Sequence, residues 1–265
     1  MKNRVGFISD IHIGSNTQAL EYLIRLCVEK ELNYLLIAGD ISNRYTDTLY
    51  FVETLEDRTK TKVFFIAGNH DLYTTLTDKS SKEIYETFSN SHQFLPVNNI
   101  ILDDYIILGD TGWYDYSFRD SRFSIEELEP KRYGGKIYND KTYIKWDNKT
   151  DTQINDFMLR SIEKQLIKAK TNYPNKKIIA VSHVVPFFEY IMQKDISWNY
   201  FNAFMGSMKL GQLYEKYEVS ISVFGHIHSP VMESGVICAP LGHPHEQLGL
   251  SSLEAIRERL TIKRL

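Results

Sequence analysis

Short apolar runs alternate with segments of helical period along the first hundred residues. Arg4-Val5-Gly6-Phe7-Ile8-Ser9, Tyr34-Leu35-Leu36-Ile37-Ala38 and Lys62-Val63-Phe64-Phe65-Ile66-Ala67 are nearly continuous in apolar character and read as buried strands. Between them, 16–31 carries Leu20, Leu23, Ile24 and Cys27 at helical spacing, with Ser15 or Asn16 as the expected cap. A second helix over 46–58 places Leu49, Val52 and Leu55 on one face. Strands that lack polar alternation and are separated by helices predict a mainly parallel sheet covered on both faces.

The pattern continues with a helix over 80–89 and two strands, 99–102 and 105–108, joined by a turn at Asp103-Asp104. The clearest long helix is 152–170, whose buried stripe is Ile154, Phe157, Met158, Ile162, Leu166 and Ala169. Strands over 177–182, 219–224 and 236–239 follow, with a helix over 206–217. The stretch 251–265 fits either helix or strand. Residues 111–150 depart from all this: they are rich in Tyr, Trp, Asp, Arg and Gly and weakly periodic. A second aromatic cluster holds Trp198, Tyr200, Phe201 and Phe204. The expectation is a single domain over 1–265 with an aromatic-rich insert at about 111–150, which fits a packed surface excursion or a substrate-facing cap.

Composition narrows the function classes. The 265 residues suffice for one large core, and 43% hydrophobic with 25% charged residues is a globular balance. A net charge of −3 and the lack of a long basic run leave nucleic acid possible as a partner but not indicated. No apolar stretch approaches the ~20 residues that span a bilayer. Cys27 and Cys238 read as buried free thiols without a disulfide framework, which fits a reducing compartment. The chain runs directly into its first strand, leaving no room for a signal peptide, so a soluble cytoplasmic protein is expected.

Candidate chemistry lies where the strands end. Asp10-Ile11-His12, Gly39-Asp40, Gly68-Asn69-His70-Asp71, His183 and Gly225-His226-Ile227-His228 each follow a predicted strand. Open α/β sheets bind ligands outside the carboxyl ends of their strands, so the fold would gather these motifs at one edge. A carboxylate can bridge two cations, imidazoles suit borderline-soft metals, and an amide oxygen completes a site without charge. Taken singly, the Asp residues are ordinary helix caps, the glycines turn residues and each His a structural one. Five such coincidences at five strand ends point instead to a site for two metal ions.

The order and spacing of these motifs, from Asp10 to His228, resemble the calcineurin-like metallophosphoesterases. The resemblance implies an α/β fold, a four-layer α/β/β/α sandwich with the dinuclear site at the carboxyl ends of the strands. It implies Asp10, His12 and His228 on one metal, Asn69, His183 and His226 on the other, and Asp40 bridging the two. The ions expected are manganese, iron, zinc or nickel. His70 would face the phosphate, with Asn69 beside it, and assist the leaving oxygen, while Asp71 would orient the His70 imidazole. Residues 39–44 look like the Gly-Asp-x-x-Asp-Arg-Gly stretch of Ser/Thr protein phosphatases, which makes Arg44 a phosphate-binding candidate. Asn43 and Tyr45 depart from that stretch, and Asp71 stands where those phosphatases carry Glu.

The function implied is hydrolysis of a small phosphodiester or phosphomonoester by a metal-bridging hydroxide. A nuclease of the same chemistry and a non-catalytic metal-binding scaffold are the alternatives. His243 and His245 form a further His-x-His; Gly242 and Pro244 beside them favour a loop. His92 has no motif context.

Overall fold

Two sheets stack face to face, and the computed structural model describes residues 2–265. The first sheet has the order β12-β1-β2-β3, from Arg4–Ile8 (β1), Tyr34–Ala38 (β2), Lys62–Ile66 (β3) and Thr261–Arg264 (β12). The second has the order β10-β11-β9-β8-β5-β4. Its strands are Ile100–Ile101 (β4), Tyr105–Gly109 (β5), Lys177–Val181 (β8), Ile221–Phe224 (β9), Val231–Glu233 (β10) and Val236–Cys238 (β11). A two-residue hairpin, Arg132–Tyr133 (β6) with Lys136–Ile137 (β7), lies in the irregular segment. The central pairings β1·β2, β2·β3, β5·β8, β8·β9 and β9·β11 are parallel, and β12, β10 and β4 add antiparallel edges.

Alternation along each strand decides which layer a side chain joins. Val5, Phe7, Leu36, Ala38 and Ile66 face Ile107, Ile179, Val181, Val223 and Ile237 between the two sheets. Ile8, Leu35, Ile37, Val63 and Phe65 point the other way. They pack under Ala19–Glu29 (α1), Tyr45–Asp57 (α2) and Ser252–Arg259 (α9). Ile106, Leu108, Ile178 and Ala180 are covered by Asp151–Asn172 (α6) and Met208–Lys216 (α8). The result is the expected α/β/β/α sandwich. Shorter helices complete the chain: Ser81–Phe88 (α3), Ile125–Leu128 (α4), Asp140–Tyr143 (α5) and Ile196–Phe201 (α7).

Most predicted elements stand within a residue or two. Two details differ. α1 starts at Ala19 after Gln18, and neither Ser15 nor Asn16 caps it. Asn16 is buried, and its side-chain amide donates to the carbonyls of Ile11 and Gly242, both at 2.8 Å, tying two loops of the site edge together. The ambiguous C-terminus is both elements in turn: α9, opened by a Ser251–Glu254 capping box, then β12 pairing antiparallel with β1. Cys27 and Cys238 are buried and unpaired, as read from the sequence. No helix among the described residues is long and apolar enough to cross a membrane.

Candidate metal centre

The five motifs converge because parallel strands all end on one side. Backbone bonds then knit the loops: Asp10 N–H donates to Gly39 O (2.9 Å), His12 N–H to Asp40 O (3.0 Å), and Gly225 N–H to His183 O (3.0 Å). The turns are tight. Asp10, His12, Asp40, His226 and His228 all have positive φ, between 46° and 72°. That left-handed region is unfavourable for side chains with a Cβ, and such strain concentrates at functional sites. Gly39 (φ +87°) and Gly68 are required by close approach: a Cβ on Gly68 would collide with the Asp40 carboxylate, and one on Gly39 with the His183 ring.

One group of donor atoms comes from Asp10, His12, Asp40 and His228, which lie within 4.8 Å of one another. His228 Nδ1 faces the Glu246 carboxylate at 2.8 Å, so it carries the proton and donates. Its Nε2 therefore presents a lone pair inward, 3.4 Å from Asp10 Oδ1 and 3.0 Å from His12 Nε2. Asp10 is fixed by Ser9 Oγ and by the His226 amide, 2.9 Å away.

The second group is Asp40, His183 and His226, with Asn69 beside them. His183 Nδ1 donates to the Ala38 carbonyl (2.9 Å), turning Nε2 toward Asn69 Oδ1 (3.1 Å), His226 Nδ1 (3.1 Å) and Asp40 Oδ1 (3.3 Å). His226 Nε2 donates to the Phe204 carbonyl at 3.2 Å, with the Tyr138 hydroxyl at 3.0 Å. Imidazoles that ligate metals have their outer nitrogen held in this way by a carbonyl or carboxylate.

The donor chemistry fits two cations. His12 Nε2 faces His228 Nε2, and His183 Nε2 faces His226 Nδ1, each pair about one hydrogen-bond length apart. Two lone pairs repel unless a proton or a metal lies between them. Burial depresses His12 to about 4, whereas at His228 the Asp10 and Glu246 carboxylates overcome burial and raise it to about 10. Likewise burial takes His226 down to about 3, while Asp40 outweighs burial at His183 and lifts it to about 9. Burial also opposes ionisation of Asp10 and Asp40. The imidazolium of His228 nevertheless carries Asp10 down to about 2, and that of His183 holds Asp40 well below the usual carboxylate range.

The remaining candidates are placed unequally. His70 is one-fifth exposed, with Nε2 3.9 Å from Asp40 Oδ2 and its amide bonded to Asp40 Oδ1 at 2.9 Å. Asp71 does not orient it. The buried Asp71 carboxylate accepts from the amides of Gly68 (2.8 Å), Ile41 (3.1 Å) and Ser42 (3.0 Å) and from Thr48 Oγ1 (2.7 Å). These bonds clamp the Gly39-Asp40 and Gly68-Asn69 loops together and leave no oxygen for the ring. Burial, with Asp40 nearby, pushes Asp71 up to about 6. Asn43 takes the expected role of Asp71: its Oδ1 lies 2.7 Å from His70 Nδ1. Arg44 lines a depression of about 500 Å³ with His12, His70 and His243, its guanidinium 3.8 Å from Asp47.

His243 sits on a loop, as predicted, but that loop returns to the site: its ring stacks on His12 with centroids 4.4 Å apart. His245 stacks behind His243, and His92 lies elsewhere against Glu56. Sequence reasoning did not single out Asn43, Tyr138, Asp140 or Glu246 for these parts. Asp140 is buried and accepts from Asn69 Nδ2 (2.8 Å), Tyr73 OH (2.9 Å) and Tyr114 OH (2.9 Å), which aims Asn69 Oδ1 at the second group. It comes from the irregular 111–150 segment and carries no motif. Most aromatics of that segment are core: Trp113, Tyr114, Tyr116 and Trp146 are buried.

Comparison with known families settles the kinship. The sequence profile of the calcineurin-like phosphoesterases matches residues 3–230. The chain belongs to the calcineurin-like phosphoesterase family. As a member it is a metal-dependent phosphoesterase, and the two His/Asp groups are where a family-type metal pair could be held. No curated protein sequence matches the chain significantly. Among solved structures, the phosphopantetheinyl hydrolase PptH of Mycobacterium tuberculosis is similar over 100% of this calcineurin-like chain and 96% of its own, with a TM-score of 0.75 and 17% identity. TT1561 of Thermus thermophilus gives a TM-score of 0.54 at 13% identity, covering 100% and 99%. A dimetal phosphatase from Danio rerio gives 0.51 at 13%, covering 91% and 87%. At these identities the likeness concerns the fold.

Proposed function

We propose that this phosphoesterase hydrolyses a small phosphodiester or phosphomonoester at a dinuclear centre. Asp10, His12, Asp40 and His228 would hold one divalent ion, and Asp40, Asn69, His183 and His226 the other. The observation that carries the reading is that two groups of inward lone pairs share one carboxylate, Asp40. Ions of the manganese, iron, zinc or nickel kind supply Lewis-acid polarisation of phosphoryl oxygens and acidify water.

The chain's own residues position the reaction. Asp40 places one carboxylate between both donor groups. Ala38, Glu246 and Phe204 fix the rings of His183, His228 and His226. His70 donates from Nδ1 to Asn43, which aims Nε2 outward; as the doubly protonated imidazolium, the ring would give its Nε2 proton to the departing ester oxygen and remain neutral with Nδ1–H on Asn43. Asn69 and His70 contact the phosphate, and Arg44 at the rim adds a cation for it. A net charge of −3 favours a small ester over a nucleic acid, whose grip needs several cations along a track. Filled ligand positions argue against a non-catalytic scaffold. Two buried free thiols suit a reducing, cytoplasmic setting.

The test is release of p-nitrophenol from bis-p-nitrophenyl phosphate and p-nitrophenyl phosphate by chelator-stripped protein, with and without manganese. Metal-dependent release that falls sharply in His70→Asn supports the reading, and the better ester identifies the class. Metal-bound protein that hydrolyses neither would overturn it.

A further inference from the structure

A cavity of about 340 Å³ opens directly beside the candidate centre, with His226 and His228 in its wall. The rest of the wall is mainly apolar: Tyr138, Ile191, Met192, Trp198, Phe201 and Met205. It is built by the stretch 190–205, which holds the second aromatic cluster noted in the sequence, and by Tyr138 from the insert. Its size is at the small end of ligand pockets, enough for one organic group and too little for a polymer.

Several polar side chains on this wall are engaged within the protein, and Lys136, Ser197 and Ser229 add polar groups to it. Tyr190 OH donates to Glu233 (3.0 Å), Asn202 Nδ2 to the Met192 carbonyl (3.1 Å), and Asp195 accepts the Trp198 amide (2.9 Å). The Tyr138 hydroxyl is engaged with His226 (3.0 Å). A nucleobase would need several donors and acceptors matched to its edge, whereas most of this wall is apolar. An alkyl or aryl group needs only apolar area, which Met side chains supply adaptably and aromatic rings rigidly. Trp198 is 44% exposed at the mouth, with Lys194 Nζ 4.2 Å from its ring centre.

We infer that this cavity is a specificity subsite for one apolar alkyl or aryl ester substituent, so the substrate class is a phosphoester carrying such a group. This rests on the hydrolase reading above, since the phosphoryl end must lie at the centre formed with His226 and His228. Depth and lining then select the ester, while the centre supplies chemistry common to many esters.

Calorimetric titration of manganese-loaded protein with methylphosphonate and hexylphosphonate tests the subsite without turnover. Each buried methylene contributes about fourfold in affinity. Hexylphosphonate should therefore bind at least about tenfold more tightly, and Trp198→Ala and Phe201→Ala should each shrink that ratio. Trp198 lies at the mouth, so its variant keeps the test usable where Phe201→Ala fails to fold. Equal affinity for the two phosphonates overturns the subsite, as does a preference untouched in both variants. Parallel turnover of methyl and hexyl p-nitrophenyl phosphate separates the readings. Hydrolysis of both at equal kcat/KM sinks the subsite alone. Tight, length-dependent binding with no hydrolysis keeps the subsite and sinks the hydrolase reading.

Discussion

The two donor groups share Asp40 but are supported by different chemistry. The group around His228 has carboxylates on both sides: Asp10 in front and Glu246 behind. His228 keeps 19% of its side chain exposed. In the group around His183, His183 and Asn69 are buried and His226 is partly exposed, and its imidazoles rest on the neutral carbonyls of Ala38 and Phe204. Its one amide candidate, Asn69, is aimed by Asp140. A charged backing raises ligand basicity and attracts a cation over distance, whereas a carbonyl backing mainly fixes orientation. The comparison teaches that the group backed by Glu246 relies on electrostatics and the one backed by carbonyls on geometry.

Removing what they share gives the largest effect. Asp40→Asn should empty both groups, with metal content falling from two ions toward none and activity falling by more than about a hundredfold, beyond the usual cost of an outer partner. Metal analysis showing two ions and normal turnover would refute the shared carboxylate. Glu246→Gln keeps an acceptor for His228 but removes the charge. Affinity at one ion of the two should weaken by roughly 10- to 100-fold, read by competition with a chelator, while the other holds. Equal weakening of both would erase the distinction between the groups.

Asp140→Asn should act in the opposite place and more weakly. It leaves an oxygen for the tyrosines but loosens the hold on Asn69, and about tenfold lower affinity at the other ion is expected. A change confined to the Glu246 side would break the assignment.

The smallest effect concerns the scaffold. Asp110, at the end of β5, accepts from Tyr85 OH (2.6 Å) and from the Thr111 amide (2.8 Å). Burial lifts it from 3.8 to about 6. A carboxyl with a raised folded pKa binds more protons in the native state. Its stabilising contribution is therefore complete below pH 4 and is lost as pH rises toward 6 and beyond. The size is on the order of 1–3 kcal/mol. Chemical denaturation from pH 4 to 7 should show this decline in wild type and a flatter profile in Asp110→Asn, with metal content at pH 7 unchanged. An unaltered slope would place the proton elsewhere.

Much of the centre was legible because each candidate ligand follows its strand within a few residues. The run Val5 to Ser9 announces β1, and the Asp and His after it are fixed in place by a turn only three residues long. Gly39 and Gly68 were visible as turn residues, though their closeness to His183 and Asp40 was not. Asp71 was misplaced for the same reason: adjacency to His70 suggested a pair, but a buried carboxylate goes where amide donors are. The long apolar stripe of α6 fixed its length well, whereas the caps of α1 depended on loops 226 residues away, where Asn16 meets Gly242.

Local order alone determined the alternation of strands and helices, the α/β class and the ligand types waiting at the strand ends. Hydrophobic period and turn chemistry are short-range, so a linear reading captures them. Only the tertiary structure decided that Asp140 holds Asn69 across 71 residues, that Glu246 backs His228, that Asn43 meets His70, and that 190–205 walls a cavity beside the metal candidates. Those relations arise from packing of irregular segments onto a finished core. No residue spacing encodes them, because the contact exists only once both surfaces are in place.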